Sequence, residues 1–171
     1  MTFGLYNQIM DFKVFIEIPI GSSVKYEVDD ETNELTVDRF LYTAFSYPFN
    51  YGYIVEAQGG DNDPLDVVVL SSQPVVPGVT MKCHAVGVLA TEDEEGEDAK
   101  IIAVPDKKID PFYGAYEDIK DVPEALLAKI KHFYENYKTL EPGKWVKIKD
   151  FASRAEAEKQ IEEASSRAAK N

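Results

Sequence analysis

Basic residues are in short supply: 18 Lys and Arg stand against 31 Asp and Glu, a formal charge of −13 at pH 7. That balance argues against a general nucleic-acid binder, whose affinity rests largely on cations meeting phosphates. It argues equally against docking on anionic lipid surfaces. It leaves divalent cations as natural partners. Cysteine is nearly absent. Cys83 alone forms no internal disulfide, which fits a reducing compartment. Long apolar runs are missing too. The longest, residues 85–90, contains Gly87, whereas a membrane helix needs about 20 residues. The N-terminal residues carry no basic stretch followed by an apolar run, so the expectation is no secretory signal and a cytoplasmic location. Only His84 and His132 supply imidazole, neither in a ligand motif, so zinc is not expected. No GxSxG, GxxxxGK[ST] or GxGxxG occurs, which leaves little support for a serine hydrolase, a P-loop protein or a dinucleotide binder.

What remains is an ordinary globular composition. Of 171 residues, 44% are apolar and 12% aromatic. A chain of this size buries roughly 70% of its unfolded surface and needs no staple. With no repeat, linker or Pro/Gly/Ser-rich boundary, residues 1–171 read as one domain. The first two-thirds read as short strands. Phe12, Val14, Ile16 and Ile18 alternate, which puts Glu17 on the other face. Val24, Tyr26 and Val28 alternate likewise, so Lys25 and Glu27 share a face. Further strands are expected over residues 35–39, 51–55, 65–70, 80–90, 101–104 and 144–149. Many short strands with few helices between them predict a closed antiparallel barrel. Two helices follow. One starts with Pro123 at its first position and carries Leu126, Leu127, Ile130, Phe133, Tyr134 and Tyr137 at helical spacing. The second opens on a Ser153-x-x-Glu156 capping box and has a thin apolar stripe of Ile161, Ala164 and Ala168, so it is expected on the surface.

The densest chemical signal is Asp61-Asn62-Asp63-Pro64-Leu65-Asp66. The plain alternative is a solvated turn. However, three like charges this close repel unless a cation relieves them, and Asp66 alternates with Val68 and Leu70, so it begins a strand face. An EF-hand loop fails, because the required glycine would be Asp66 and the closing Glu would be Ser72. A second acidic run, residues 92–98, suits a solvated hairpin tip at Glu92, Glu95 and Glu97, with Asp98 leading into a strand. If both acidic segments face one cavity, their oxygen-only donors suit Mg²⁺ or Mn²⁺. Lys25, Arg39, Lys100 and Lys138 add cations, which a phosphate site needs and a plain cation site does not. The aromatic segment 47–53 adds hydroxyls able to bond an anion. These elements together point to metal-assisted attack of water on a phosphoryl group.

Around Asp61-x-Asp63-Pro64-x-Asp66 stand Ile16-Glu17-Ile18-Pro19, Lys25-Tyr26-Glu27, Val37-Asp38-Arg39-Phe40, Tyr47-Pro48-x-Asn50-Tyr51-Gly52-Tyr53, Gly96-Glu97-Asp98-Ala99-Lys100 and His132-Phe133-Tyr134-x-x-Tyr137-Lys138. This set, in this order from about Asp11 onward, resembles the soluble family I inorganic pyrophosphatases of bacterial type. The resemblance implies a mainly β (α+β) fold, an OB-type five-stranded closed β-barrel with additional short strands and two flanking α-helices. It implies Mg²⁺-dependent hydrolysis of pyrophosphate to two orthophosphates by in-line attack of a metal-activated water, with several ions per site and Mn²⁺ as a substitute. By the same resemblance Asp61, Asp66 and Asp98 hold a first metal, and Asp66 also touches a second. Asp93 and Asp98 carry one that arrives with substrate, and Glu17 carries another. Asp63 is the general base. Lys25, Arg39, Tyr137 and Lys138 grip the phosphates, Tyr51 and Lys100 support them, and Glu27 and Tyr47 belong to the same site. The implied assembly is a homohexamer; Asn136 departs from relatives that carry a histidine there. Two rivals stay open: a metal-dependent hydrolase of other phosphoanhydrides, and a non-enzymatic acidic OB-like module that binds cations. The module predicts scattered basic residues, and the enzyme predicts that they converge on the carboxylates.

Overall fold

A computed structural model describes residues 8–60 and 63–171. Its described elements are β1 (Asp11–Ile18), β2 (Val24–Val28), β3 (Leu35–Phe40), β4 (Asn50–Gln58), β5 (Pro64–Val69), β6 (Thr80–Asp93), β7 (Gly96–Pro105), α1 (Glu124–Asn136), β8 (Val146–Ser153) and α2 (Arg154–Ala168). β1 pairs with β4, β4 with β5, β5 with β7 and β7 with β6. β6 then returns to β1, so five strands close a ring. β8 adds to β6 outside this ring, and β2 and β3 form a separate hairpin. The mainly β, five-stranded architecture with two helices agrees with the sequence reading. One detail differs. β5 and β7 run parallel, not antiparallel. Side-chain alternation reports which face a residue takes but not strand direction. Here β6 and β7 form a hairpin, and β7, not β6, lies beside β5, which reverses the direction.

Alternate residues of all five ring strands form one core cluster: Val14 and Ile16, Ile54, Val67 and Val69, Cys83 and Ala85, Ile101 and Ala103. Ala157, Ile161 and Ala164 of α2 complete it. The apolar stripe of α2 is thin, as expected, yet fully buried, because small alanines let the helix lie close on the strands. Ala157 takes the place expected for Ala168. Residues of opposite parity, including Val68, Ile102 and Val104, pack against Ile130, Phe133 and Tyr134 of α1. α1 thus buries the aromatics that its spacing foretold. Pro123 is the cap and not the first helical residue. It has no N–H to lose, so either place suits it. At α2 the Ser153 hydroxyl accepts the Glu156 N–H at 3.4 Å, but the Glu156 carboxylate accepts from Gln160 instead of closing the box.

Gly52 lies opposite Ile16 in the β1–β4 pairing. A Cβ there would stand 1.8 Å from the Phe15 carbonyl oxygen, which is backbone and cannot step aside. Gly52→Ala is therefore expected to cost about 3 kcal/mol of stability, the upper range of overpacking. Chemical denaturation reads this directly, and a change below about 0.5 kcal/mol, the size of a neutral surface substitution, would disprove the close approach.

Candidate active site

The parallel register Val67↔Ile101 sets Asp66 of β5 beside Lys100 of β7. Asp98 lies two residues before Lys100 and so shares its strand face. The Lys100 ammonium is 2.7 Å from Asp66 Oδ2, 2.6 Å from Asp98 Oδ2 and 3.0 Å from the Tyr51 hydroxyl. Burial alone would push a lysine toward neutrality. Here the Asp66 and Asp98 carboxylates, with the Tyr51 hydroxyl oxygen beside them, outweigh burial and hold Lys100 protonated, well above the ordinary range. Burial raises the Asp98 pKa; Lys100 opposes it, and Asp66 and Asp93 add to it.

A second cation arrives from the end of α1. Lys138 Nζ is 3.2 Å from Asp93 and 3.5 Å from Glu94, at the tip of the β6–β7 hairpin. The third and fourth come from the β2–β3 hairpin, where Lys25 and Arg39 are directly paired. Like charges opposite one another destabilise a hairpin. Asp38 relieves them, 2.6 Å from Arg39 Nε and 3.4 Å from Lys25 Nζ. Glu27 adds a contact to Lys25 at 3.5 Å, and Glu141 accepts a hydrogen bond from Arg39 Nη1.

Three buried groups record that these parts share one region. Tyr47 has its pKa raised by burial and by Tyr137, while Lys100 and Arg39 oppose the shift. Tyr137 is pushed up to about 12 by burial, with Lys100 opposing and Glu141, Asp93 and Asp98 adding. Glu17 is pushed up to about 7, chiefly by burial; the Val28 N–H bond at 3.0 Å opposes this, and Asp66 and Glu27 add to it. Lys100 and Lys138 meet Asp66, Asp98 and Asp93, while Lys25 and Arg39 pair with Glu27, Asp38 and Glu141.

Asp63 is exposed at the entrance to β5, where its carbonyl accepts the Gly59 N–H at 2.7 Å. Asp61 lies outside the described residues. Among the described residues no three acidic, thiol or imidazole groups close on one point. The donor set is nonetheless that of a hard divalent cation. It is all oxygen, and Asp66 and Asp98 are already arranged about one positive charge with a single oxygen each. His84 is buried on β6 with Nε2 2.8 Å from the Tyr116 carbonyl, and exposed His132 packs beside Phe45, so both are structural as expected.

The raised Glu17 pKa carries a sign. Folded Glu17 holds its proton to about pH 7, whereas the unfolded group releases it near its ordinary value of 4.5. Between these values the native state binds more protons, so this group makes stability fall as pH rises. Glu17→Gln is expected to raise the melting temperature of metal-free protein at pH 8 and change it little at pH 4.5. Equal shifts at both pH values would show that the side chain is not desolvated.

A sequence model of the inorganic pyrophosphatase family matches residues 14–169. This chain belongs to that family. An inorganic pyrophosphatase of Nanoarchaeum equitans is 56% identical over 155 residues, 91% of this chain and 96% of that protein. One from Saccharolobus solfataricus is 52% identical over 154 residues, 90% of each chain. Among solved structures, the Thermus thermophilus inorganic pyrophosphatase superposes with a TM-score of 0.90 at 39% identity, covering 98% of this chain and 96% of that one. The Coxiella burnetii enzyme gives 0.89 at 48% identity, covering 94% and 96%. These matches bear out the resemblance and the fold.

Within this pyrophosphatase fold, three side chains at the site escaped the sequence reading. Asp38 sits inside a quoted motif, next to Arg39, and was there to be found. Glu94 was one acid among several in a charged run, and only the approach of Lys138 and Lys144 singles it out. Glu141 follows Lys138 in a Glu-Pro-Gly turn and carries no local signal at all; its partner Arg39 is 102 residues away.

Proposed function

We propose that this chain hydrolyses inorganic pyrophosphate to two orthophosphates with Mg²⁺ as the activating ion. Membership of the pyrophosphatase family carries the reading. The contacts of Lys100 with Asp66 and Asp98 and of Lys138 with Asp93, with Lys25 and Arg39 on the adjoining hairpin, support it, since phosphoryl transfer needs both charges in one place. The cation is held by Asp66 and Asp98 with Asp61, and further ions by Asp93 and Glu17. Mn²⁺ is the expected substitute. When bound, such ions lower the pKa of a water and neutralise phosphoryl oxygens.

The chain's own groups do the rest. Asp63 accepts a proton from the attacking water, whose oxygen bonds to one phosphorus as the bridging P–O bond breaks. Arg39, Lys25, Lys138 and Tyr137 hold the phosphate oxygens. They neutralise the charge that gathers on the departing phosphate, and Tyr51 and Lys100 keep Asp66 and Asp98 in place. Glu27 steadies Lys25, and buried Tyr47 lines the same cleft. The products are two orthophosphates, so no covalent enzyme intermediate is required.

Phosphate release from pyrophosphate, with tripolyphosphate and ATP in parallel, tests this. Rapid release from pyrophosphate with Mg²⁺ is expected. No release from it overturns the reading, and faster release from ATP reassigns the substrate to other phosphoanhydrides. We further infer a single domain, a cytoplasmic location and a closed homohexamer. Exposed Val37, Phe40 and Leu140 are apolar surface that an assembly would cover. Light scattering should give six times the chain mass, and a monomer at working concentration would refute the assembly.

A further inference from the structure

We propose that Glu141 is a positioning residue, whose buried carboxylate fixes the orientation in which the Arg39 guanidinium meets phosphate. The inference rests on the pyrophosphatase reading above. Two acids hold Arg39. Asp38 is its neighbour on β3 and takes Nε, so it moves with the strand. Glu141 belongs to a different part of the chain and takes Nη1. Glu141 is only 7% exposed, while Arg39 is one-third exposed on the open side of the hairpin.

The backbone that carries this carboxylate is itself held. The Glu141 N–H bonds to the Lys138 carbonyl at 3.1 Å, and the Glu141 carbonyl accepts the Lys144 N–H at 3.2 Å. Beyond it, Gly143 turns the chain with φ +74°. Glu94 then anchors the far end, accepting from Lys144 Nζ at 2.9 Å and from the Trp145 N–H at 3.4 Å. Segment 138–145 is thus a strap fixed at the β6–β7 tip and reaching across to the β2–β3 hairpin. That hairpin joins no ring strand by a backbone ladder, and its Val28 N–H bond to the Glu17 carboxylate lies at the opposite end from the Lys25–Arg39 pair, so a fixed acid on the strap ties Arg39 to the rest of the site.

A carboxylate beside Arg39 has two opposed effects. It partly cancels the charge that should attract phosphate, and it orients the planar fork that makes a bidentate contact. The two separate by substitution. Glu141→Gln keeps the length and an acceptor oxygen but removes the charge. Glu141→Asp keeps the charge and withdraws the oxygens by one methylene. If Glu141 positions Arg39, the Asp variant should raise KM for pyrophosphate about tenfold, as expected for loss of a charge-assisted hydrogen bond. The Gln variant should stay within about threefold of wild type, and kcat should stay within about threefold in both. In an Arg39→Lys background, where the fork is gone, Glu141→Asp should add less than about twofold. The Gln variant is near-isosteric and the Asp variant is one methylene shorter, and their melting curves check folding. Equal KM values in the two variants, the reverse order, or an undiminished effect in the Arg39→Lys background overturns the positioning role while wild-type turnover stands. A wild-type protein that releases no phosphate overturns the functional reading and this inference together.

Discussion

Asp63→Asn is expected to lower kcat for pyrophosphate by about 10²–10⁴-fold, the usual contribution of a general base. Divalent-cation binding should hardly move. Asp63 is exposed at the entrance to β5, where its backbone carbonyl accepts the Gly59 N–H. The pH–rate profile should lose or shift one limb. Asp66→Asn should behave differently. Asp66 balances the buried Lys100 ammonium at 2.7 Å, and its loss leaves that charge with Asp98 as its only anionic contact among the described residues. It should therefore lower stability and raise the Mg²⁺ concentration needed for half-maximal rate, with part of the activity recovered at high Mg²⁺. Isothermal titration with Mg²⁺ beside steady-state kinetics separates the two signatures. If Asp63→Asn keeps wild-type kcat and loses Mg²⁺ affinity, Asp63 is a ligand and not the base.

Exhaustive chelation is expected to abolish turnover, and Mg²⁺ alone should restore it. Asp66, Asp98, Asp93 and Glu17 gather negative charge in one cleft. Lys100 and Lys138 offset part of it, but burial still raises Asp98 and Glu17. An added hard cation relieves what remains. Because it binds the folded arrangement and not the open chain, Mg²⁺ at about 100 times its Kd should stabilise by about 2.7 kcal/mol. Calorimetry should show the melting temperature rising with Mg²⁺ and falling after chelation. Activity that survives chelation would remove the metal from the chemistry, and an unchanged melting temperature at saturating Mg²⁺ would show that the carboxylates do not form a site in advance.

Much of this was legible in the sequence, because the signals are local. The alternation of Val24, Tyr26 and Val28 marked β2 to the residue. The spacing of Ile130, Phe133 and Tyr134 marked the buried face of α1. Asp61-x-Asp63-Pro64-x-Asp66 stood out in the sequence because acids beside a stiff turn, entering an apolar strand, conflict with folding alone. Other features depended on which segments meet. That β6 returns to β1 and closes the ring, and that β5 lies parallel to β7, are pairings between distant segments, and a period of two along one strand names no partner. The same limit hid Glu141. Its position after Lys138 looks like any turn acid, and only the hairpin's approach from 102 residues away brings Arg39 onto it. Sequence determined the residue types, the periodicities and the motif. Tertiary structure decided which charge neutralises which, because Coulomb energy depends on distance in space and chain order leaves that distance open.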